Sequence, residues 1–184
     1  MNTSPIPRVS IYHNCLWARY KGAIFSKIQS NSTLRGLAVS FVQIAETQTE
    51  QAMFGKVDLS YHQYSYRLLF PGCYSDVPLY RLLTALMAEV FRNPCELVVL
   101  PGYHRIEYWA MLMACIVLRR KRGVFCDSTA YDHAKKYRWK EIAKSFFFRH
   151  CDGMFCYGTR SKEYVESYGV SAEKTYHPCQ AAAS

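Results

Sequence analysis

The chain has 184 residues, half of them apolar and 15% aromatic, which suits one packed domain and excludes global disorder. Its formal charge of +9 is uneven, because residues 102–150 hold eleven Lys/Arg against four Asp/Glu. Such a stretch attracts phosphates, nucleic acid or anionic lipid, or else forms a solvated basic helix face.

The pattern along the chain alternates strands with helices. Residues 8–12 read as a first strand through Val9 and Ile11, and a loop from His13 to Trp17 leads into a helix over about 18–28. Asn31-Ser32-Thr33 reads as a turn. A second strand covers 37–44, and residues 45–63 are polar with weak periodicity. A third strand, 66–70, meets a stop at Pro71-Gly72. The clearest helix covers 79–91, where Leu79, Leu82, Leu83, Leu86, Met87, Val90 and Phe91 fall at the spacing of one helical stripe. Asp76 and Pro78 start it and Asn93-Pro94 stops it. Then follow strand 96–100, helix 107–120, strand 123–126, helix 138–150, strand 153–156, helix 160–168 ended by Gly169, and a closing strand 174–177. Strands separated by helices imply right-handed crossovers and parallel pairing. The expected fold class is therefore α/β, a Rossmann-like three-layer domain with about six or seven mainly parallel strands.

The cysteines Cys15, Cys73, Cys95, Cys115, Cys126, Cys151, Cys156 and Cys179 are dispersed, without a C-x-x-C pair. That argues against zinc and for reduced core thiols in a cytosolic protein. No metal and no cofactor are expected. No apolar signal-peptide core follows the first ten residues. The longest apolar run, 108–118, is far shorter than the ~20 residues a bilayer span requires. The Arg119-Arg120-Lys121-Arg122 segment after it has two readings, the charged exit of a buried helix or a basic lip on anionic headgroups.

Candidate chemistry sits at strand ends, where open α/β sheets hold ligands. Strand 96–100 ends in Pro101-Gly102-Tyr103-His104, and strand 123–126 ends in Asp127-Ser128. His104 and Asp127 are the candidate catalytic residues: an imidazole can donate to a phosphate or take a hydroxyl proton, and a carboxylate can orient a sugar hydroxyl. Arg105 and Ser128 lie beside them as candidate acceptor or phosphate contacts. The competing readings are a surface histidine in a turn and an Asp or Ser that caps the next helix. Asp132-His133 is a further carboxylate–imidazole pair, although neighbours on a helix do not face each other. In the first strand-to-helix loop, Arg19, Lys21 and Gly22 fall where helix amides favour phosphate. The chain lacks G-x-G-x-x-G, the P-loop motif and G-x-S-x-G, which argues against a dinucleotide fold, a P-loop enzyme and an α/β-hydrolase.

The segment Asp152-Gly153-Met154-Phe155-Cys156-Tyr157-Gly158-Thr159-Arg160-Ser161-Lys162-Glu163-Tyr164, followed by Tyr168-Gly169-Val170 and Pro178-Cys179-Gln180-Ala181, resembles the glycosyltransferases of the GT-B fold, family 4. The resemblance is loose over the whole chain and closer over residues 95–181. It implies the amino-terminal, acceptor-side domain of a retaining, metal-independent enzyme. Such an enzyme moves a sugar from a nucleotide-sugar donor, a substrate rather than a cofactor, to a glycan or lipid-linked acceptor in surface polysaccharide synthesis. The dispersed thiols lead to the expectation of a cytoplasmic position, and the 119–122 basic cluster with its aromatic neighbours to a peripheral place on the inner face of the membrane. Many family members have a Gly-Gly loop where this chain has Trp17-Ala18-Arg19-Tyr20-Lys21-Gly22, and His where it has Asp127-Ser128. Residues 1–184 are expected to form one such domain, with the nucleotide-sugar-binding domain outside this chain. The alternative is a non-catalytic basic α/β module that binds nucleic acid or another phosphate-rich partner.

Overall fold

A computed structural model describes residues 6–49, 57–131 and 138–179. Its strands are β1 (Arg8–Cys15), β2 (Ala38–Thr47), β3 (Tyr66–Cys73), β4 (Leu97–Leu100), β5 (Lys121–Cys126), β6 (Gly153–Cys156) and β7 (Thr175–Tyr176). They form one sheet in the order β3-β2-β1-β4-β5-β6-β7, with every pair parallel. The helices are α1 (Arg19–Leu34), α2 (Leu79–Arg92), α3 (Ile106–Val117), α4 (Arg138–Arg149) and α5 (Thr159–Glu166). Chain order reverses between β1 and β4, and this point decides where the site lies.

Strand side chains alternate between two cores, as the two-residue period of a pleated strand requires. Tyr12, Val98, Leu100, Val124, Cys126, Met154 and Cys156 join the core made with α2 to α5. Ile11, Phe41 and Val99 join the core built around Phe25 of α1, with Phe125 and Phe155 packed against it. Burial on both faces explains why the inner strands read as unbroken apolar runs such as Leu97-Val98-Val99-Leu100.

Three sequence expectations are corrected here. Asn31-Ser32-Thr33 is helical, because the hydroxyls of Ser32 and Thr33 bond back to the Gln29 carbonyl and take no part in a turn. The helix stops later, at Gly36 (φ 65°), where Leu37 N–H reaches the Ser32 carbonyl and Gly36 N–H the Thr33 carbonyl. That pair of bonds closes a helix whose next residue is left-handed. Gly36→Ala is expected to cost about 1 kcal/mol, read as a lower urea midpoint at unchanged slope. The second correction is at Pro71-Gly72, which does not end β3. The strand continues to Cys73 with a register shift against β2 between Ala45 and Thr47. β3 lies at the sheet edge, where a residue without an N–H is tolerated. Third, Ala45 to Thr47, the start of the polar, weakly periodic stretch, extend β2. Within the basic segment, Arg120 donates to the carbonyls of Val90 and Asn93, and Arg122 pairs with Asp152 at 2.9 Å. Only Arg119 and Lys121 of the four are exposed. No described helix is long and apolar enough to cross a membrane.

Candidate functional site

In a doubly wound sheet the two strands on either side of the reversal send their following helices to opposite faces, and a crevice opens at their carboxyl ends. The crevice here is a hollow of about 100 Å³. His13 and Tyr20 enter it from β1 and α1, Gly102 and His104 from beyond β4, Asp127 from beyond β5 and Tyr157 from beyond β6. Four strand ends thus converge on one point.

His104 is held by its surroundings. Its ring lies against Gly102, where a Cβ would come within 3.1 Å of it, and meets Tyr108 edge-on at 5.5 Å. Partial burial, then the Arg105 charge, push its pKa below the ordinary histidine value, against the pull of Asp127 and Glu107. His104 is therefore neutral at pH 7 and can accept a proton. Asp127 is exposed, and its backbone carbonyl accepts from the Ser161 hydroxyl at 3.2 Å, which ties β5 to the start of α5. Neither Asp127 nor Ser128 caps a helix, since residues 127–131 are not helical. Ser128 instead accepts the Tyr103 hydroxyl at 2.8 Å and braces the wall of the hollow.

His13 is buried and set from behind. Its Nδ1 lies 2.8 Å from the Cys15 carbonyl and 3.2 Å from Gln43 Oε1, two acceptors that require a proton on that nitrogen. Nε2 then carries the lone pair. Burial first, and the Lys21 charge second, lower its pKa to about 4. The folded value lies below the unfolded one, so this contribution to stability is present above pH 6.5 and is lost as pH falls toward 4. His13→Gln is expected to flatten acid destabilisation over that window by about 2–3 kcal/mol relative to the parent, as read from urea midpoints at a series of pH values.

Lys21 lies beneath the hollow and is 1% exposed. Its ammonium finds no hydrogen-bond partner among the described residues, and sits 4.1 Å from the Phe125 ring centre and 4.3 Å from that of Tyr157. Burial lowers its pKa to about 8, with Asp127 opposing. The rings of Tyr20 and Tyr157 both line the hollow, and burial raises the pKa of both hydroxyls.

The predicted residues therefore separate. His104 and Asp127 meet in the hollow, Lys21 lies below it and Ser128 supports it. Arg19 turns away to Asp58 at 3.5 Å, and Gly22 packs against Tyr61 and the His62 ring. Gly22 thus permits close packing of α1 on the turn at Leu59–Tyr61. Arg105 lies 4.3 Å over the Tyr74 ring and 3.8 Å from buried Glu107, which also accepts the Tyr74 hydroxyl at 2.7 Å. Asp132-His133 lies outside the described residues. His13, Asn14, Tyr20 and Tyr157 were not expected at the site. The strand-end rule, applied to β1 and β6 as it was to β4 and β5, would have found His13, Asn14 and Tyr157. No group of three or more potential metal ligands occurs among the described residues.

No protein-family model matches the chain, and no curated protein matches it in sequence. Solved structures do match. A UDP-GlcNAc 2-epimerase from Neisseria meningitidis bound to UDP-GlcNAc aligns with 92% of this chain and 45% of its own, at 13% identity and a TM-score of 0.59. HepE from Anabaena in complex with UDP-glucose aligns over 92% and 42%, at 12% identity and 0.57. The lipopolysaccharide outer core galactosyltransferase WaaB aligns over 92% and 44%, at 12% identity and 0.55. The chain spans somewhat less than half of each. At these identities the likeness is one of fold: a Rossmann-like α/β fold of the GT-B type.

Proposed function

We propose that this chain is the acceptor-side lobe of a retaining glycosyltransferase resembling family 4, which moves a sugar from a nucleotide-sugar donor to a glycan or lipid-linked acceptor in surface polysaccharide synthesis. The observation that carries this reading is the convergence of His104, Asp127 and His13 in the hollow at the chain reversal. Asp127 and His13 Nε2 accept hydroxyl hydrogens, and neutral His104 takes up the proton as the acceptor oxygen attacks. The donor diphosphate is held mainly by a second lobe, and Lys21, beneath the hollow, adds positive charge where the leaving group gathers electrons. Among the described residues the cysteines are thiols rather than disulfides, which accords with a cytoplasmic setting.

Calorimetric titration of the chain with neutral oligosaccharides, and separately with UDP, tests this. Saccharide binding is expected, weakened about tenfold or more by Asp127→Ala, which removes a charged hydrogen-bond acceptor. UDP binding unaccompanied by saccharide binding would favour chemistry on the nucleotide-sugar itself, the reading that the likeness to a UDP-GlcNAc 2-epimerase suggests.

A further inference from the structure

Two neighbouring helices present an outer face that the rest of the described chain leaves open. On α3 it comprises Ile106, Met113 and Val117, and on α4 Trp139, Ile142 and Phe146, all between 42% and 73% exposed. Each set repeats at helical spacing, so each forms a stripe along one side of its helix. Trp109 of α3 stacks on Phe146 of α4, with ring centres 6.3 Å apart and planes 11° from parallel, and joins the two stripes into one surface. A solvated helix face is ordinarily polar.

The exposed charges of the two described helices and of the residues just after α3 are of one sign. The two helices contain only two acidic residues, and both are engaged elsewhere. Glu107 is buried and accepts the Tyr74 hydroxyl. Glu141 pairs with Lys144 and accepts the Tyr168 hydroxyl. Exposed Arg138, Lys140 and Arg149 flank the α4 stripe, and exposed Arg119 and Lys121 follow the end of α3. Large apolar side chains including a tryptophan, rimmed by cations and with no exposed carboxylate on the two described helices, match the interface of an anionic bilayer, where apolar groups enter the acyl boundary and cations meet headgroups.

We propose that the outer face of α3 and α4 docks on anionic membrane lipid, with Trp139, Ile142 and Phe146 inserted at the headgroup boundary. The docking surface stands independently of the transferase reading. Because α3 begins two residues after His104, docking also brings the hollow to the edge of the lipid layer, within reach of a lipid-linked acceptor.

The test is co-sedimentation of the intact chain with vesicles of phosphatidylcholine alone and of phosphatidylcholine with phosphatidylglycerol. Binding to the anionic vesicles is expected, with marked weakening in high salt. The double variant Trp139→Glu/Ile142→Glu lowers it about tenfold or more at an unchanged melting temperature, since both positions are exposed. Arg138→Glu/Lys140→Glu removes the preference for anionic vesicles. Asp127→Ala binds vesicles as the parent does, which separates this inference from the acceptor site. Equal binding by the Trp139/Ile142 variant, indifference to lipid charge, or lipid-free association that this variant dissolves would overturn the proposal, and the last would assign the face to a protein partner.

Discussion

Replacing Lys21 with methionine is expected to make the protein more stable at pH 7, by about 1–3 kcal/mol. The substitution keeps the length of the side chain and its contact with Phe125 and Tyr157, and removes a buried charge. Cation–π contact with those rings offsets part of the cost of burial, yet no hydrogen bond among the described residues completes it. The folded pKa of about 8 lies below the ordinary 10.5 of lysine. Between those values the unfolded chain holds the proton more tightly, so the parent gains stability relative to the variant as pH rises, and the advantage of methionine fades by about pH 10.5. Buried cysteines and tyrosines have raised pKa values and titrate in the opposite sense in part of this range. They are common to both proteins and cancel in the difference. Urea denaturation of both at pH 7 and pH 10 measures it. A parent more stable than the variant at pH 7 would mean that the ring contacts outweigh desolvation and that Lys21 is a structural tie.

Phe148→Ala is expected to cost about 3–5 kcal/mol, the largest single loss anticipated. The ring is fully buried and touches Tyr103 edge-on at 4.7 Å, Tyr168 at 5.5 Å and Tyr164 at 6.4 Å. Its removal leaves a cavity under Tyr103, whose hydroxyl holds Ser128 at the wall of the hollow. Thermal unfolding should show the loss as a fall of several degrees, and saccharide affinity should fall with it because the wall loosens. A melting temperature within a degree or two of the parent would show that neighbouring rings collapse into the space.

The layout of the sheet was legible in the sequence because apolar runs such as Leu97-Val98-Val99-Leu100 can only be inner parallel strands, and because the α2 stripe has a single period. Helix and strand ends were less legible. Ser32 and Thr33 carry turn-forming hydroxyls that are satisfied within α1, and the true stop depends on the left-handed Gly36. Pro71 stops a strand only where its missing N–H is needed, and edge position is a property of the whole sheet. The site divides in the same way. His104 and Asp127 follow obvious strands, so their place at the hollow was legible from position alone. His13 was passed over because its fixed proton comes from Gln43 and Cys15, partners that pairing with β2 and the local backbone supply. Gly22 and Arg19 have the composition of a phosphate loop, but α1 turns them toward residues 58–62, a contact that no local spacing encodes. The open apolar face of α3 and α4 follows from exposure, which sequence periodicity cannot separate from burial in a helix as apolar as α3.

In the proposed function a sugar hydroxyl enters the hollow where β1 and β4 diverge. The six histidines give a direct readout. Titration of the chain with a neutral oligosaccharide, followed by the imidazole resonances, should move the signals of His13 and His104 together while those of His150 and His177 stay in place, and Asp127→Ala should shift the midpoint of that movement to about tenfold or more higher saccharide. Movement confined to His150 or His177, or none at saturating saccharide, would contradict it.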